Sequence, residues 1–114
     1  MEEVMESISL TQLADEQLAA ARSSNSGRAA HTVHGGHDHQ LRQTLIALAS
    51  GHELSEHHTP GETTLQVLRG HVRLATAGEA WEGTTGDLLV VPRDRHGLQA
   101  IDDSVVLLTV LADS

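Results

Sequence analysis

From Gln40 to the C-terminus the chain is cut into short apolar stretches by turn signals at close spacing. Gly51, Pro60-Gly61, Gly70, Gly78, Gly83, Gly86-Asp87 and Pro92 leave no room for a long helix. Between them, Leu41, Gln43, Leu45, Ala47 and Ala49 alternate with Arg42, Thr44, Ile46 and Leu48, so both faces of that strand become apolar towards its middle. Thr64–Arg69 and His71–Thr76 read as two strands hinged on Gly70. A short piece carrying Trp81 follows, then Leu88–Val91 (stopped by Pro92), His96–Ala100 and Ser104–Leu111. About eight short strands with regular turns predict an all-β sandwich or barrel.

Composition narrows the core. The 114 residues hold no Lys, Cys, Phe or Tyr, and Trp81 is the only aromatic residue. One domain fits that length, with a core of Leu, Val, Ile and Ala. Without cysteine there is no disulfide and no thiolate nucleophile or ligand. Sixteen acidic residues against seven arginines give a net charge of −9, which disfavours direct nucleic-acid binding and anionic membranes. No stretch approaches the ~20 apolar residues of a membrane span, and the acidic start, Met-Glu-Glu-Val-Met-Glu, is unlike a signal peptide. The expectation is a soluble, cytoplasmic protein with no direct nucleic-acid or membrane partner.

Ahead of the strands, residues 1–39 read as an N-terminal arm, and 40–114 as the barrel. Leu10, Leu13, Ala14, Leu18 and Ala21 form one apolar stripe, predicting a helix over about 10–22 capped by Ser9 or Thr11. A lone helix of this length is marginal in water, so it must dock on the barrel or on a second subunit. Ser23–Gly27 reads as a linker. His31, His34, His37 and His39 then crowd a Gly-containing tract, where exposed polar histidines are expected rather than a metal site.

Histidines also mark the two strand ends that carry most of the chemistry. Glu53, Ser55, His57 and Thr59 fall on one face of their strand, with Leu54, Glu56 and His58 on the other. The run His57-His-Thr-Pro-Gly-Glu-Thr-Thr-Leu-Gln-Val-Leu-Arg-Gly70 resembles the first motif of the cupin superfamily. Gly86-Asp-Leu-Leu-Val-Val-Pro92 with His96 resembles the second, and the 15-residue spacer His71–Thr85 resembles that of small microbial, RmlC-like cupins. The resemblance covers roughly Leu41–Ala112. It implies a double-stranded β-helix, the cupin jelly-roll barrel, here with a short N-terminal helix, and a homodimer.

The resemblance also implies a divalent ion inside the barrel, held by two histidines and a Glu of the first motif and one His of the second. Carried over by position, these fall on His57, Thr59, Thr63 and His96, so only two of the four are ligand types. His96 comes one residue early after Pro92, with Asp94 where the family usually has Gly. Transition-metal sites generally take three or more protein ligands, and a neutral hydroxyl is a weak one. A third ligand would have to be His58, turned inward by a bulge at 57–58, or Glu62, moved by a register shift. Glu53 lies four residues from His57, too far along a strand for shared coordination. At most a weak site for Fe, Mn, Ni or Zn at His57 and His96 is expected.

The expected function is therefore binding of an unidentified small molecule in the barrel, with His57, Thr59, Thr63, Gln66 and His96 as polar contacts. The alternatives are a metal-dependent oxygenase, isomerase or cyclase, and a purely structural dimeric domain. Arg69, Arg73, Arg93 and Arg95 read as surface charges paired with carboxylates, and Trp81 as a packing residue.

Overall fold

The structure, a computed structural model, describes residues 5–57 and 61–112, with Glu56 and His57 described by their backbone. Helix α1 (Leu10–Ser23) is followed by nine strands: β1 (Arg28–His34), β2 (Leu41–Leu48), β3 (Glu53–His57), β4 (Gly61–Arg69), β5 (His71–Ala75), β6 (Ala80–Thr84), β7 (Leu88–Val90), β8 (His96–Ala100) and β9 (Ser104–Ala112). They form a five-stranded sheet in the order β1-β2-β9-β4-β7 and a four-stranded sheet in the order β3-β8-β5-β6. All pairings are antiparallel.

The two faces of the larger sheet have different partners, which explains the two apolar faces read from β2. Leu48, Leu65, Val67 and Val106 join Val72, Leu74, Leu98 and Ala100 of the smaller sheet in the barrel core, with Ile46 packed against it. Leu45, Ala47, Val105 and Leu107 turn outward and meet Leu13, Ala14, Leu18 and Ala21 of α1. Ser9 caps that helix as expected, its Oγ accepting from the Gln12 N–H at 3.1 Å. Ala14 and Ala21 are small enough to bring the helix close to the sheet. Each buried leucine contributes about 2 kcal/mol by removal from water.

The sheet begins earlier than the sequence reading expected. Part of the His-bearing tract in the N-terminal arm is edge strand β1, paired with β2 from Arg28↔Leu48 to His34↔Gln43. Ala29 and Val33 pack into the cluster under α1, so tertiary pairing outweighs the polar residues between them.

Two devices lock the top of the barrel. Gly70 turns β4 into β5 at φ +96°, and a Cβ there would lie 2.3 Å from the Asp103 carbonyl oxygen. The buried Ser104 Oγ accepts from the His71 N–H at 3.0 Å and donates to the Asp102 carbonyl oxygen at 2.7 Å. Beside them Asp103 receives Arg22 of α1 at 2.7 Å and the Ser50 N–H at 2.8 Å, tying the helix end to two loops. Arg69 likewise reaches Asp15 at 2.6 Å, but that pair is exposed and contributes little.

The Ser50 N–H, and after it the Arg22 guanidinium, hold the Asp103 carboxyl below its ordinary value of 3.8. Its stabilising contribution is therefore complete above pH 3.8, and is lost as the pH falls through the lower value of the folded state. Because the pair is partly exposed, the effect is small. Asp103→Asn should lower the melting temperature at pH 7, and the difference from wild type should shrink as the pH falls below about 4. Melting curves between pH 7 and pH 2.5 check this; a difference that does not change with pH contradicts it.

Candidate functional site

His96 opens β8 with its side chain in the barrel. It is only 2% exposed and shares the inward side of the strand with Leu98 and Ala100. Its Nδ1 lies 2.9 Å from the Asp94 carbonyl oxygen. A carbonyl can only accept, so Nδ1 carries the proton and Nε2 is the basic nitrogen of the ring. Asp94 stands where a Gly was expected, and it contributes its backbone oxygen, which fixes the tautomer and the plane of the imidazole.

Across the sheet, the backbone of His57 pairs with that of His96. This results from a change of register. Glu53 pairs with Gln99 and Leu54 with Leu98, and the next pairing is His57 with His96. Three residues of β3 thus span two of β8, a bulge at Ser55–Glu56. The sequence reading, which assumed an unbroken strand, put Glu53 and His57 on one face. The bulge corrects this: Glu53 pairs in the exposed row with Gln99, while position 57 joins the row of Leu54, Leu98 and His96. A bulge was foreseen only at 57–58, and no glycine or proline in Glu53–His57 announces the one that forms.

Among the described residues, Thr63 is the other buried polar side chain at this end, 3% exposed and opposite Val110. Its Oγ1 donates to the Gly61 carbonyl oxygen at 2.9 Å, and its own carbonyl accepts from the Val91 N–H at 2.9 Å. The hydroxyl proton is thereby used within the strand end. The structure does not bring Gln66 or Glu62 to this face. Both are exposed on the outer side of β4, Gln66 opposite Leu88 and Leu107 and Glu62 opposite Leu111. No register shift reaches Glu62, because β4 pairs with β9 regularly from Gly61 to Val67. His58 and Thr59 lie outside the described residues. Trp81, read as a packing residue, lies against the aliphatic core.

Among the described residues no three His, Asp or Glu side chains converge as a metal site. Thr63 offers only a hydroxyl, and Glu62 lies on the outer, exposed side of β4. Thr59 and Thr63 carry hydroxyls where the four-ligand set implied by the resemblance needs an imidazole and a carboxylate, so that set does not fit these residues. Nor is any helix among the described residues long and apolar enough to cross a membrane.

These placements separate His96 from Gln66 energetically. His96→Ala should cost about 1–3 kcal/mol by leaving a cavity and an unsatisfied carbonyl. Gln66→Ala should stay within about 0.5 kcal/mol of wild type. Urea titrations of both variants measure the difference; equal effects would contradict the assignment of faces.

No protein-family model matches the sequence, and no curated protein matches it significantly. Solved structures do match. An RmlC-like cupin from Desulfovibrio desulfuricans superposes with a TM-score of 0.65 at 22% identity, over 97% of this chain and 94% of the other. A cupin superfamily protein from Desulfitobacterium hafniense gives 0.69 at 20% identity, over 75% and 78%. Salicylate 1,2-dioxygenase from Pseudaminobacter salicylatoxidans gives 0.73 at 22% identity, over 88% of this chain but 33% of the enzyme. At these identities the likeness is one of fold, and it agrees with the two antiparallel sheets and the single short helix: the chain has the cupin jelly-roll fold.

Proposed function

We propose that the protein binds a small molecule inside the barrel, anchored by the imidazole of His96. The observation that carries this is a buried imidazole set in an aliphatic wall, with its Nδ1–H bound to the Asp94 carbonyl oxygen. A mostly apolar cavity with few, fixed polar groups is the usual make-up of small-ligand sites. The imidazole then meets a polar group of the ligand, while Leu, Val and Ile side chains cover its apolar part. The backbone register pairs position 57 with position 96, which supports including His57 in the proposal. Thr59 belongs to the proposal by position alone, and Gln66 leaves it because of its outward placement.

A thermal-shift screen of small hydroxylated and carboxylated compounds tests the reading. At least one should raise the melting temperature of the wild type, and His96→Leu should abolish the shift. If no compound shifts the wild type, the barrel is structural. Elemental analysis of tag-free protein separates the remaining alternative. One equivalent of Fe, Mn, Ni or Zn, lost in His96→Leu, would replace this reading with a metal-dependent oxygenase, isomerase or cyclase.

The proposal also takes the protein as a homodimer. The outer face of the larger sheet beyond α1 exposes Leu41, Leu88, Val90 and Leu111, with Leu88 at 62% and Val90 at 74%. Apolar residues grouped like this favour burial against a partner. Sedimentation equilibrium should give twice the chain mass for wild type and the single mass for a Val90→Glu, Leu111→Glu variant. A monomeric wild type contradicts the assembly without touching the ligand site.

A further inference from the structure

We infer that the cleft between the edge strands β6 and β7 binds a small organic cation, an amine carried on a flat apolar ring, with the ring against Trp81 and the charge towards Glu79. The inference does not depend on the site at His96. Strands β6 and β7 end different sheets, so among the described residues no strand ladder joins them. A cleft of about 290 Å³ opens at this seam, lined by Leu74, Trp81, Leu89 and Pro92 together with Glu79. Leu74 is buried and belongs to the barrel core, so the cleft runs from the surface to the aliphatic interior. Its size is at the small end for ligand sites and suits one ring with a short chain.

The position of the indole explains the opening. Trp81 stands opposite Leu74 on the inward row of β6, and the buried Gly83 follows two residues later on the same side. A Cβ on Gly83 would lie 2.1 Å from the indole Cη2, so the ring is folded back along its own strand into the space of the missing side chain. An indole directed across the seam would fill the gap towards Leu89 and Pro92. Laid over Gly83, it forms one wall of the cleft instead. Trp81 is half-buried, so part of its ring remains accessible. No Phe or Tyr and no other Trp occurs in the chain. This wall therefore has what the surrounding aliphatic side chains lack, a π system that attracts cations.

Glu79 supplies a negative charge at the rim, and its backbone is already fixed. The Thr76 N–H donates to the Glu79 carbonyl oxygen at 2.8 Å, and the Glu79 N–H donates to the Thr76 Oγ1 at 3.2 Å. The Thr76 hydroxyl in turn donates to the Glu79 carbonyl oxygen at 3.3 Å. Holding the turn before a ligand arrives reduces the ordering cost of binding. Among the described residues the Glu79 carboxylate enters no ion pair. The net charge of −9 adds a general attraction for cations. An apolar slot, an aromatic wall and a carboxylate at the rim together match a ring-bearing amine, and the same charge disfavours an acid of the same shape.

Phenethylamine titrated into the tag-free full chain tests the site, because Trp81 is the only source of tryptophan fluorescence. The emission should change saturably, with a Kd of roughly 1 mM for a ligand of this size. Phenylpropionate, which carries a carboxylate on the same ring and chain, should produce no saturable change. His96→Leu removes the barrel imidazole and should leave the phenethylamine titration as it is in the wild type. Glu79→Gln, on an exposed turn, should weaken binding about two- to fivefold. Saturation-transfer NMR on the ligand extends the test to Trp81 itself: Trp81→Phe should keep the affinity, and Trp81→Leu should lower it about fivefold or more. No saturable change with phenethylamine, equal binding of phenylpropionate, loss of binding in His96→Leu, or full affinity in Glu79→Gln would each overturn the inference.

Discussion

The position that faces His96 is decided by one extra residue in β3. A β-ladder has a period of two, so an insertion of one residue exchanges the faces of everything beyond it. The pairing of Leu54 with Leu98 would, in an unbroken ladder, bring Glu56 opposite His96. The bulge at Ser55–Glu56 brings His57 there instead. A carboxylate position is thereby exchanged for an imidazole position on the inward row. The local disruption of the ladder is affordable only because Leu54 and Leu98 hold the pair on one side of it.

The larger sheet provides the rigid frame for this arrangement. Strand β9 lies at its centre between β2 and β4, and its residues alternate between two hydrophobic clusters. Val106 and Leu108 face the barrel, while Val105 and Leu107 face α1. A sheet covered on both sides resists register slips in either direction, since any one-residue shift moves an entire apolar row. The helix is thus part of the wall that fixes Thr63 and Val91 at the same end of the barrel as His96. Asp103 connects that wall to the loops at the opposite end through Arg22 and Ser50.

Much of the fold was legible in the sequence for physical reasons. Turn residues at short intervals, a core of aliphatic residues alone and the two apolar faces of β2 lead to a small barrel carrying a docked helix. The stripe Leu10, Leu13, Ala14, Leu18 and Ala21 places that helix almost to the residue. Strand β1 was hidden because an edge strand needs few apolar residues, and His31 and Thr32 look like linker. His96 and Thr63 were singled out by the resemblance to the two cupin motifs, and the structure turns both inward, whereas Gln66 and Glu62 face outward for different reasons. Gln66 has the wrong parity relative to Thr63, three residues away on a regular strand. Glu62 could have joined the site only through a register shift that β4 does not have. The β3 bulge had no signal at all, because bulges without glycine arise from pairing with a partner strand rather than from local preference.

The central claim is the register of β3 against β8, and solution NMR reads it directly. Cross-strand backbone NOEs should connect Leu54 with Leu98 and His57 with His96. NOEs connecting Glu56 with His96 in a ladder continuous from Leu54 would show an unbroken strand, place His57 on the opposite face and contradict the account of the site.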